Sequence, residues 1–379
     1  MAAHPDLNVH VYYCHKATPQ EQSHAGFGVE FDWDVPLLIG YPHSFLRNIA
    51  NPPGHGRFAG FDTPEIKDII RRREYDAVLV NGWHYKSAWQ AIWACWRSGV
   101  KVLVRGDSHL NTPRSVPKKM AKSLLYGYFI PRFDACLSVG QWSREYFLHY
   151  GAPPQRVFFV PHAVDNERIA AERARVEPFR PQLRKRWGLD EKAVVVVFAG
   201  KFIGKKRPMD FVQAVARAHR EVAVQGLMIG DGPLRAASEG FIRTCGIPIR
   251  FTGFLNQSKI VEAYAASDLL ILPSDGGETW GLVVNEAMAC GLPCIVSDAV
   301  GCGPDLVQPG ETGSTYPVGD VDALAVLIMN LAKRPSHLST MGVHAKNRVK
   351  QYSVQTAVNG LLESLAVITD SRVPHAVAD

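Results

Sequence analysis

Short, continuous apolar runs alternate with stretches of helical period along the second half of the chain. The runs lie at 193–199, 227–229, 268–272 and 293–297, and 249–254 is a further predicted strand. Continuous apolar runs of this kind are typical of parallel strands that are covered on both faces. Between the first two runs, Phe211, Val212, Val215 and Ala218 recur at helical spacing. The pattern therefore predicts a parallel sheet with helices packed on it.

The first half shows the same alternation more weakly. Strands are predicted at 7–13, 76–81, 100–104, 134–139 and 156–160. We therefore predict an α/β protein with two doubly wound parallel-sheet (Rossmann-like) domains. The predicted boundaries are a first domain at 1–165, an exposed linker at 166–189 and a second domain at 190–351. The linker is inferred from a stretch rich in Arg and Glu that contains Pro178, Pro181 and Gly188.

Composition narrows the class of protein. The 379 residues, 46% of them hydrophobic, are enough for two buried cores. The seven cysteines form no Cys-x-x-Cys pair, so we expect reduced thiols and a cytoplasmic location. We expect no secretion signal and no transmembrane span. The net charge of +6 is mild and diffuse, which favours anionic ligands or a membrane surface over nucleic acid.

The most informative stretch is 273–293, where a Gly-rich loop leads from one apolar run into a helix. Its helix is predicted to begin at about Gly281 and to end before Gly291. Glu278 falls in the loop and Glu286 in the second helical turn. Two solvated glutamates on an ordinary strand-to-helix turn are the simpler interpretation of such a pair.

Backbone groups add an anion site between these carboxylates. The free amides at the helix start belong to Gly281, Leu282 and Val283, and they favour an anion. A carboxylate on either side of an anion site fits a ligand with hydroxyls at both ends and phosphate between them. This is the outline of a sugar nucleotide.

A basic loop follows the apolar run that ends at Gly200. It contains the cations Lys201, Lys205, Lys206 and Arg207. A cation-rich loop at the carboxyl end of a parallel strand suits a diphosphate. A solvated basic turn is the alternative, but this loop and the Glu278 loop are predicted to lie at the same edge of one sheet.

The order of Ser274, Trp280-Gly281 and two glutamates separated by seven residues resembles the E-x7-E signature of retaining nucleotide-sugar glycosyltransferases of family 4. The resemblance implies the GT-B fold, with two domains facing across a cleft and a C-terminal helix, within 352–379, that returns to the first domain. We expect no metal and no cofactor, since the nucleotide-diphospho-sugar is a substrate.

The resemblance also implies roles for particular residues. Glu278 would hold sugar hydroxyls and Glu286 the ribose, while Lys201 and Lys206 would hold the donor phosphates, with Lys at the first position where Arg is more usual. The remaining donor-binding candidates come from the same loops and from the strand ends that face the base: Gly200, Gly230, Phe254, Trp280, Gly281, Leu282 and Val283.

The first half departs from the family pattern in two ways. The chain begins at what resembles the family's second strand, so the usual first strand and its Gly-rich loop are expected to be missing. A histidine that many relatives carry after the strand at 100–104 is replaced by Gly106. The acceptor-side candidates are therefore Arg105 and Asp107, although Asp107 could equally cap the next helix. His84, at another strand end of the same sheet, is a further acceptor-side candidate. The alternative is that it caps a helix or is exposed to solvent.

Residues 114–132 interleave basic and apolar side chains. A helix with a basic and an apolar face can lie on anionic lipid, where a lipid-linked acceptor would be. The alternative is a helix packed on the core with a solvated basic face. If the helix does bind lipid, we expect a cytoplasmic protein that docks at the inner face of the plasma membrane.

Two Asp-x-Asp triplets could in principle hold a divalent metal ion. Asp320 precedes an apolar helical pattern and is predicted to start a helix, and Asp32-Trp33-Asp34 lies in an extended run. We predict no metal site at either triplet.

Together these features predict a metal-independent hexosyltransferase that moves a sugar to an acceptor hydroxyl of a glycan or lipid-linked glycan, in cell-surface polysaccharide or glycolipid synthesis. Two alternatives remain open: a non-catalytic sugar-nucleotide binder or partner subunit, and a sugar-nucleotide epimerase of the same fold.

Overall fold

A computed structural model describes residues 4–5, 7–16, 18, 30–112 and 115–369. The chain divides into two compact units. Unit 1 contains the chain up to Lys16, then Leu38–Pro161, and the chain from Gln355 onward. Unit 2 contains Ala17–Leu37 and His162–Val354.

Unit 1 is built on a four-stranded parallel sheet in the order β3-β4-β5-β6. The elements of unit 1 are, in chain order, β1 (Val11–Tyr13), β2 (His43–Phe45), α1 (Ile66–Arg71), β3 (Ala77–Asn81), α2 (Lys86–Ser98), β4 (Lys101–Gly106), α3 (Val116–Phe129), β5 (Ala135–Ser138), α4 (Gln141–His149) and β6 (Val157–Phe159). The strands predicted at 76–81, 100–104, 134–139 and 156–160 are thus present, within a residue or two at their ends.

The predicted strand at 7–13 is shorter than expected. Only Val11–Tyr13 forms a strand, and it pairs in parallel with His43–Phe45 in a separate two-stranded sheet. The hydrophobic pattern did not predict this partner, because its three residues are half-buried or exposed. Tyr12 and Cys14 nevertheless pack against the apolar core of unit 1.

The last helix, Val354–Thr369, packs on one face of the sheet of unit 1, and α2 contributes to the apolar cluster on the other face. Its Leu361 and Ile368 pack with Leu137 and Phe158 in one buried cluster. Gly360 lies so close to the strand end that a Cβ atom there would come within 2.0 Å of the Phe159 carbonyl oxygen. Residues 370–379 of the predicted C-terminal segment lie outside the described residues.

Unit 2 has a six-stranded parallel sheet in the order β12-β11-β10-β7-β8-β9. Its elements are α5 (Asn166–Val176), α6 (Arg180–Arg186), β7 (Val194–Ala199), α7 (Pro208–Ala218), β8 (Val224–Ile229), α8 (Arg235–Cys245), β9 (Ile249–Gly253), α9 (Ile260–Ala266), β10 (Leu269–Leu272), α10 (Leu282–Ala289), β11 (Cys294–Ser297), α11 (Gly303–Leu306), β12 (Gly313–Tyr316), α12 (Val321–Ala332) and α13 (Pro335–Val349). The side chains of Val196, Phe198, Leu269 and Ile271 are fully buried, as their apolar runs predict.

The segment at 166–189, expected to be an exposed linker, is helical and belongs to unit 2. Its Ile169 and Leu183 are buried, and the buried Arg184 donates to the Ala266 carbonyl oxygen at 3.0 Å and also to the Asp268 carboxylate. Pro181 does not interrupt the helix, because it lies in the first turn of α6, where a backbone amide would have no hydrogen-bond partner within the helix. Unit 2 consequently begins at His162 rather than near residue 190.

Candidate active site

The strand order of unit 2 reverses between β7 and β10, which lie side by side in the middle of the sheet. The chain leaves β7 toward β8 on one side, and it leaves β10 toward β11 on the other. In open α/β sheets, ligands bind in the crevice that forms outside the carboxyl ends of two such strands. The Lys-rich loop follows β7 and the Glu278 loop follows β10, so both predicted loops lie at this position.

The structure brings Lys206 and Glu278 into direct contact. The Lys206 ammonium donates to Oε2 of Glu278, and Ser274 Oγ donates to the same oxygen at 3.3 Å. These charged side chains are only 13% and 12% exposed, respectively. The prediction that these two loops lie at the same edge of one sheet is therefore confirmed.

Backbone contacts hold the two loops together around this pair. The Asp275 amide donates to the Lys205 carbonyl oxygen at 2.8 Å. In return, the Lys205 ammonium donates to the Gly277 carbonyl oxygen at 3.3 Å. Because these two contacts help to fix the spacing of the loops, Lys206 and Glu278 meet without depending on their own attraction alone.

The site carries an excess of positive charge. Desolvation lowers the pKa of Lys201, and the nearby Lys205 and Lys206 lower it further, while Glu278 acts in the opposite direction. Mutual repulsion among these lysines is relieved when an anion binds between them. The cluster is therefore suited to a ligand with more than one negative charge.

The helix predicted to begin at about Gly281 is α10, and Gly281 is its N-cap. Gly281 has φ +102°, and a Cβ there would come within 2.8 Å of the Leu272 side chain, so only glycine fits without strain. Among the described residues, no group accepts a hydrogen bond from the amides of Gly281, Leu282 and Val283. These amides can receive an anion at the helix start.

Glu286 occupies a different environment from Glu278. It is 7% exposed and accepts hydrogen bonds from the Tyr264 hydroxyl at 2.9 Å and from Gln257 Nε2 at 3.4 Å. Burial raises the pKa of Glu286, and the two hydrogen bonds and Arg168 partly offset this effect. Sequence reasoning missed Tyr264 and Gln257, since no spacing rule connects them to Glu286.

Trp280 differs from the expectation that it contacts the donor. Its indole is 4% exposed, its Nε1 donates to Asn285 Oδ1 at 2.9 Å, and its ring lies 5.7 Å from that of His162. This buried indole therefore packs beneath the Glu278 loop and holds it in place instead of facing a ligand. The ring anchors the loop to the core of unit 2.

Glycines line the carboxyl ends of three neighbouring strands. The Gly200 amide donates to the Ile229 carbonyl oxygen at 3.0 Å, and the Gly230 amide donates to the Gly253 carbonyl oxygen at 2.9 Å. A Cβ on Gly230 would come within 2.0 Å of the Gly200 carbonyl oxygen. These contacts hold the carboxyl ends of β7, β8 and β9 close together, between the lysine loop and Phe254.

Comparison with known proteins agrees with this architecture. The family model for glycosyltransferase family 4 matches residues 4–168, and the model for group 1 glycosyl transferases matches residues 179–348. The chain belongs to glycosyltransferase family 4.

Curated relatives of this family 4 chain have several activities. N-acetyl-alpha-D-glucosaminyl L-malate synthase of Bacillus anthracis is 36% identical over 168 residues, which are 44% of this chain and 44% of that protein. D-inositol 3-phosphate glycosyltransferase of Rhodococcus jostii is 31% identical over 231 residues, or 58% of this chain and 49% of that protein. The matched region thus spans about half the length of these relatives.

Solved structures show that the GT-B fold is shared. A glycosyltransferase from Rickettsia africae superposes with a TM-score of 0.70 at 16% identity, covering 87% of this chain and 86% of that one. HepE of Anabaena, solved in complex with UDP, superposes with a TM-score of 0.68 at 19% identity, covering 86% of each chain. The two α/β units with parallel sheets are those of the GT-B fold.

The acceptor-side candidates of the family 4 chain lie at strand ends of unit 1. Arg105 donates to the carbonyl oxygens of Val160 at 3.3 Å and Pro161 at 2.9 Å, and burial lowers its pKa while Asp107 raises it. The possible capping role of Asp107 is wrong, because the next helix begins at Val116 after Ser115. His84 is exposed. It caps no helix, since the residue at the start of α2 is Tyr85.

The acidic triplets are used for structure in the described part of the chain. Asp320 is the N-cap of α12 and accepts from the Ala323 amide at 2.9 Å, which confirms the predicted helix start. Asp34 accepts from Ser258. No group of three His, Cys, Asp or Glu side chains within the described ranges is placed to hold a metal ion.

Helix α3 covers most of the predicted basic and apolar stretch, although Arg114 lies outside the described residues. Phe129 at its end is buried in the core of unit 1. An outward stripe with a spacing of four residues is more than half exposed: Val116, Met120, Leu124 and Tyr128. None of the helices in the described residues has the length and apolar character needed to cross a bilayer.

Proposed function

We propose that this chain is a retaining glycosyltransferase that moves a sugar from a nucleotide-diphospho-sugar to an acceptor hydroxyl. The observation that carries the proposal is the contact of Lys206 with Glu278 at the β7–β10 switch point, beside the amides at the start of α10. It supports a site in which positive charge and a hydrogen-bonding carboxylate meet on one ligand. A diphosphate joined to a sugar has this combination of groups.

The chemistry follows from where charge develops. When the bond between the sugar and the diphosphate breaks, negative charge grows on the diphosphate oxygens. Lys201, Lys206 and the amides at the start of α10 would receive it, and such preorganised groups lower the barrier because they need little reorganisation. Each cation–phosphate contact near 4 Å is worth roughly 4 kcal/mol before desolvation at an effective dielectric of about 20.

The two glutamates have separate tasks in this scheme. Glu278 would accept hydrogen bonds from sugar hydroxyls, since its carboxylate is fixed by Lys206 and Ser274 at the mouth of the site. Glu286 would accept from the ribose, with Tyr264 and Gln257 holding its carboxylate. The acceptor hydroxyl attacks on the face from which the diphosphate leaves, its proton passes to a leaving phosphate oxygen, and no enzyme nucleophile or metal is used.

The comparisons support a nucleotide-sugar donor. HepE of Anabaena was solved in complex with UDP-glucose, and curated relatives are named as an N-acetyl-alpha-D-glucosaminyl L-malate synthase, a D-inositol 3-phosphate glycosyltransferase and a sulfoquinovosyl transferase. The names mention malate for one relative and inositol 3-phosphate for another, so the family resemblance does not select one acceptor. We place this chain in cell-surface polysaccharide or glycolipid synthesis.

A thermal-shift screen over UDP, GDP, ADP, CDP and dTDP tests donor binding, because a ligand that binds only the folded state raises the melting temperature by mass action. At a concentration 100 times Kd the expected stabilisation is about 2.7 kcal/mol. No shift with any nucleoside diphosphate would refute the donor site. The corresponding sugar nucleotide is then incubated with the protein. Release of nucleoside diphosphate supports a transferase, and conversion to an epimerised sugar nucleotide supports an epimerase. If neither product forms, the chain is a non-catalytic binder.

The exposed stripe on α3 leads to a second part of the proposal, namely that this helix docks on an anionic membrane at the cytoplasmic face. Leu124 is 79% exposed, and large exposed apolar patches on a protein surface mark interaction sites. Lys118 and Lys119 are exposed on the same helix, where they can meet anionic headgroups. A lipid-linked acceptor would then be within reach.

Co-sedimentation with phosphatidylglycerol vesicles tests the docking. The wild-type protein should pellet at low salt, and Leu124→Asp should reduce the bound fraction several-fold. Val343→Asp, which changes an equally apolar exposed helical position in unit 2, is the matched control. Absence of wild-type pelleting, or equal loss in both variants, would contradict the proposal.

A further inference from the structure

Residues 30–37 lie between β1 and β2 of unit 1 in sequence, but Ala17–Leu37 is grouped with unit 2. Within this segment, the ring of Phe31 lies 4.3 Å from the ring of Phe254, centroid to centroid. Trp33 meets Phe31 edge-on at 5.0 Å. The first Asp-x-Asp triplet, at which no metal site was predicted, is part of this contact.

Polar contacts anchor the segment next to the aromatic pair. Asn256 Nδ2 donates to the Asp32 carbonyl oxygen at 2.6 Å. The Asp34 carboxylate accepts from the Ser258 amide at 3.1 Å and from the Ser258 hydroxyl. Main-chain and side-chain groups of the turn after β9 are thus matched to the segment, which fixes the position of Phe31.

Phe254 lies at the far end of the glycine-lined edge. The hydrogen bonds that join Gly200 to β8 and Gly230 to Gly253 follow β7, β8 and β9 in order. Two strand spacings separate β7 from β9, which is about 10 Å. This span is comparable with a ribose and a base that extend from a diphosphate held at Lys206.

We propose that Phe31 and Phe254 form an aromatic wall on which the nucleobase of the donor stacks, so that residues 31–34 complete the donor site. The inference rests on the proposed function, since it assigns the base end of the same site. Every base has a π face, so stacking on an aromatic side chain contributes affinity without distinguishing one base from another. Phe31 should therefore strengthen binding of all nucleoside diphosphates and contribute nothing to binding of inorganic pyrophosphate.

Calorimetric titration of the full chain with UDP, GDP, ADP and inorganic pyrophosphate tests this. Phe31→Ala should weaken, by roughly ten-fold, each nucleoside diphosphate that the wild type binds, as expected for loss of one stacking surface. The affinity for pyrophosphate should stay the same. Phe31→Tyr should retain wild-type affinity, because it keeps the ring.

The matched control is Phe179→Ala, which removes an exposed ring elsewhere in unit 2 and should change neither ligand. Unchanged nucleotide binding by Phe31→Ala would overturn the proposal, and tighter binding would show that the ring blocks the base site. An equal loss of pyrophosphate would reveal a general distortion and would also overturn it. If the wild type binds no nucleoside diphosphate, CDP and dTDP included, the proposed function itself fails.

Discussion

The carboxyl edges of the two parallel sheets differ in how their charged side chains are held. In unit 2, Lys206 and Glu278 come from loops 72 residues apart and meet in one contact. In unit 1, Arg105 is bound to main-chain carbonyl oxygens at the end of β6, and His84 is exposed. The same fold therefore concentrates charge on one sheet edge and distributes it on the other.

The difference follows from the ligands that we propose for each edge. A diphosphate has several charges within a few ångströms, so its site needs cations and amides that are already close together and partly shielded from water. An acceptor hydroxyl is neutral, and single hydrogen bonds can position it. The predictions below test this contrast, from the largest expected effect to the smallest.

Lys206→Ala should cause the largest loss. Removing one preorganised group that meets developing charge typically costs 10²–10³-fold in turnover, and we expect about that loss in release of nucleoside diphosphate. Lys192→Ala, an exposed lysine of unit 2 outside the site, is the control. Steady-state assays at saturating donor measure the effect. Turnover within about three-fold of wild type would contradict the role of Lys206.

Gly230→Ala should damage both folding and nucleotide binding. Gly230 has φ +122°, and its new Cβ would lie 2.0 Å from the Gly200 carbonyl oxygen. We expect a stability loss on the order of 1–3 kcal/mol, measured by urea unfolding. Gly240→Ala is the matched control, because it lies in α8 with open space around its Cβ and should stabilise the helix slightly. Equal stability of the two variants would show that the strand edge adjusts easily.

The sequence predicted the donor edge better than the acceptor edge for a physical reason. Buried parallel strands need apolar runs, and the turns that follow them need glycine, so Gly281 and the ends of β7 and β10 leave a local signal. The contact of Lys206 with Glu278 was predictable because both loops leave the same edge of one sheet.

Other features depend on long-range packing and leave no local signal. The strand at His43–Phe45 is short and lies at an edge, and Tyr264 reaches Glu286 only through the tertiary fold. The helices at 166–189 were missed because their prolines sit in first helical turns, where they are tolerated. Arg184 is charged, yet it is buried where carbonyl oxygens and Asp268 satisfy it.

Asp107→Asn tests the distributed edge of unit 1. Loss of one hydrogen bond costs about 0.5–1.5 kcal/mol, so we expect the KM for acceptor to rise roughly 3–10-fold. Hydrolysis of the donor without acceptor should be unchanged, because the proposed donor site lies in unit 2. Asp68→Asn, at an exposed ion pair of unit 1, is the control. A parallel loss of donor hydrolysis would show that the two edges are not independent in function.

Glu286→Gln should have the smallest effect on stability, and its sign depends on pH. Burial raises the pKa of Glu286 in the folded state. Below the usual carboxyl pKa the side chain is protonated whether folded or unfolded, so wild type and variant should melt alike. As pH rises from that value through the raised pKa, the unfolded chain releases its proton first, and the wild type loses stability relative to the variant.

At neutral pH the Glu286→Gln variant should therefore melt about 2 °C above the wild type, and the gap should close on acidification. Scanning calorimetry from pH 4 to pH 8 measures it. Donor affinity should nevertheless fall, because a neutral amide accepts more weakly from ribose hydroxyls than a carboxylate does. A variant that is less stable at neutral pH, with unchanged donor affinity, would show that Glu286 serves the fold through Tyr264 and Gln257 instead of the ligand.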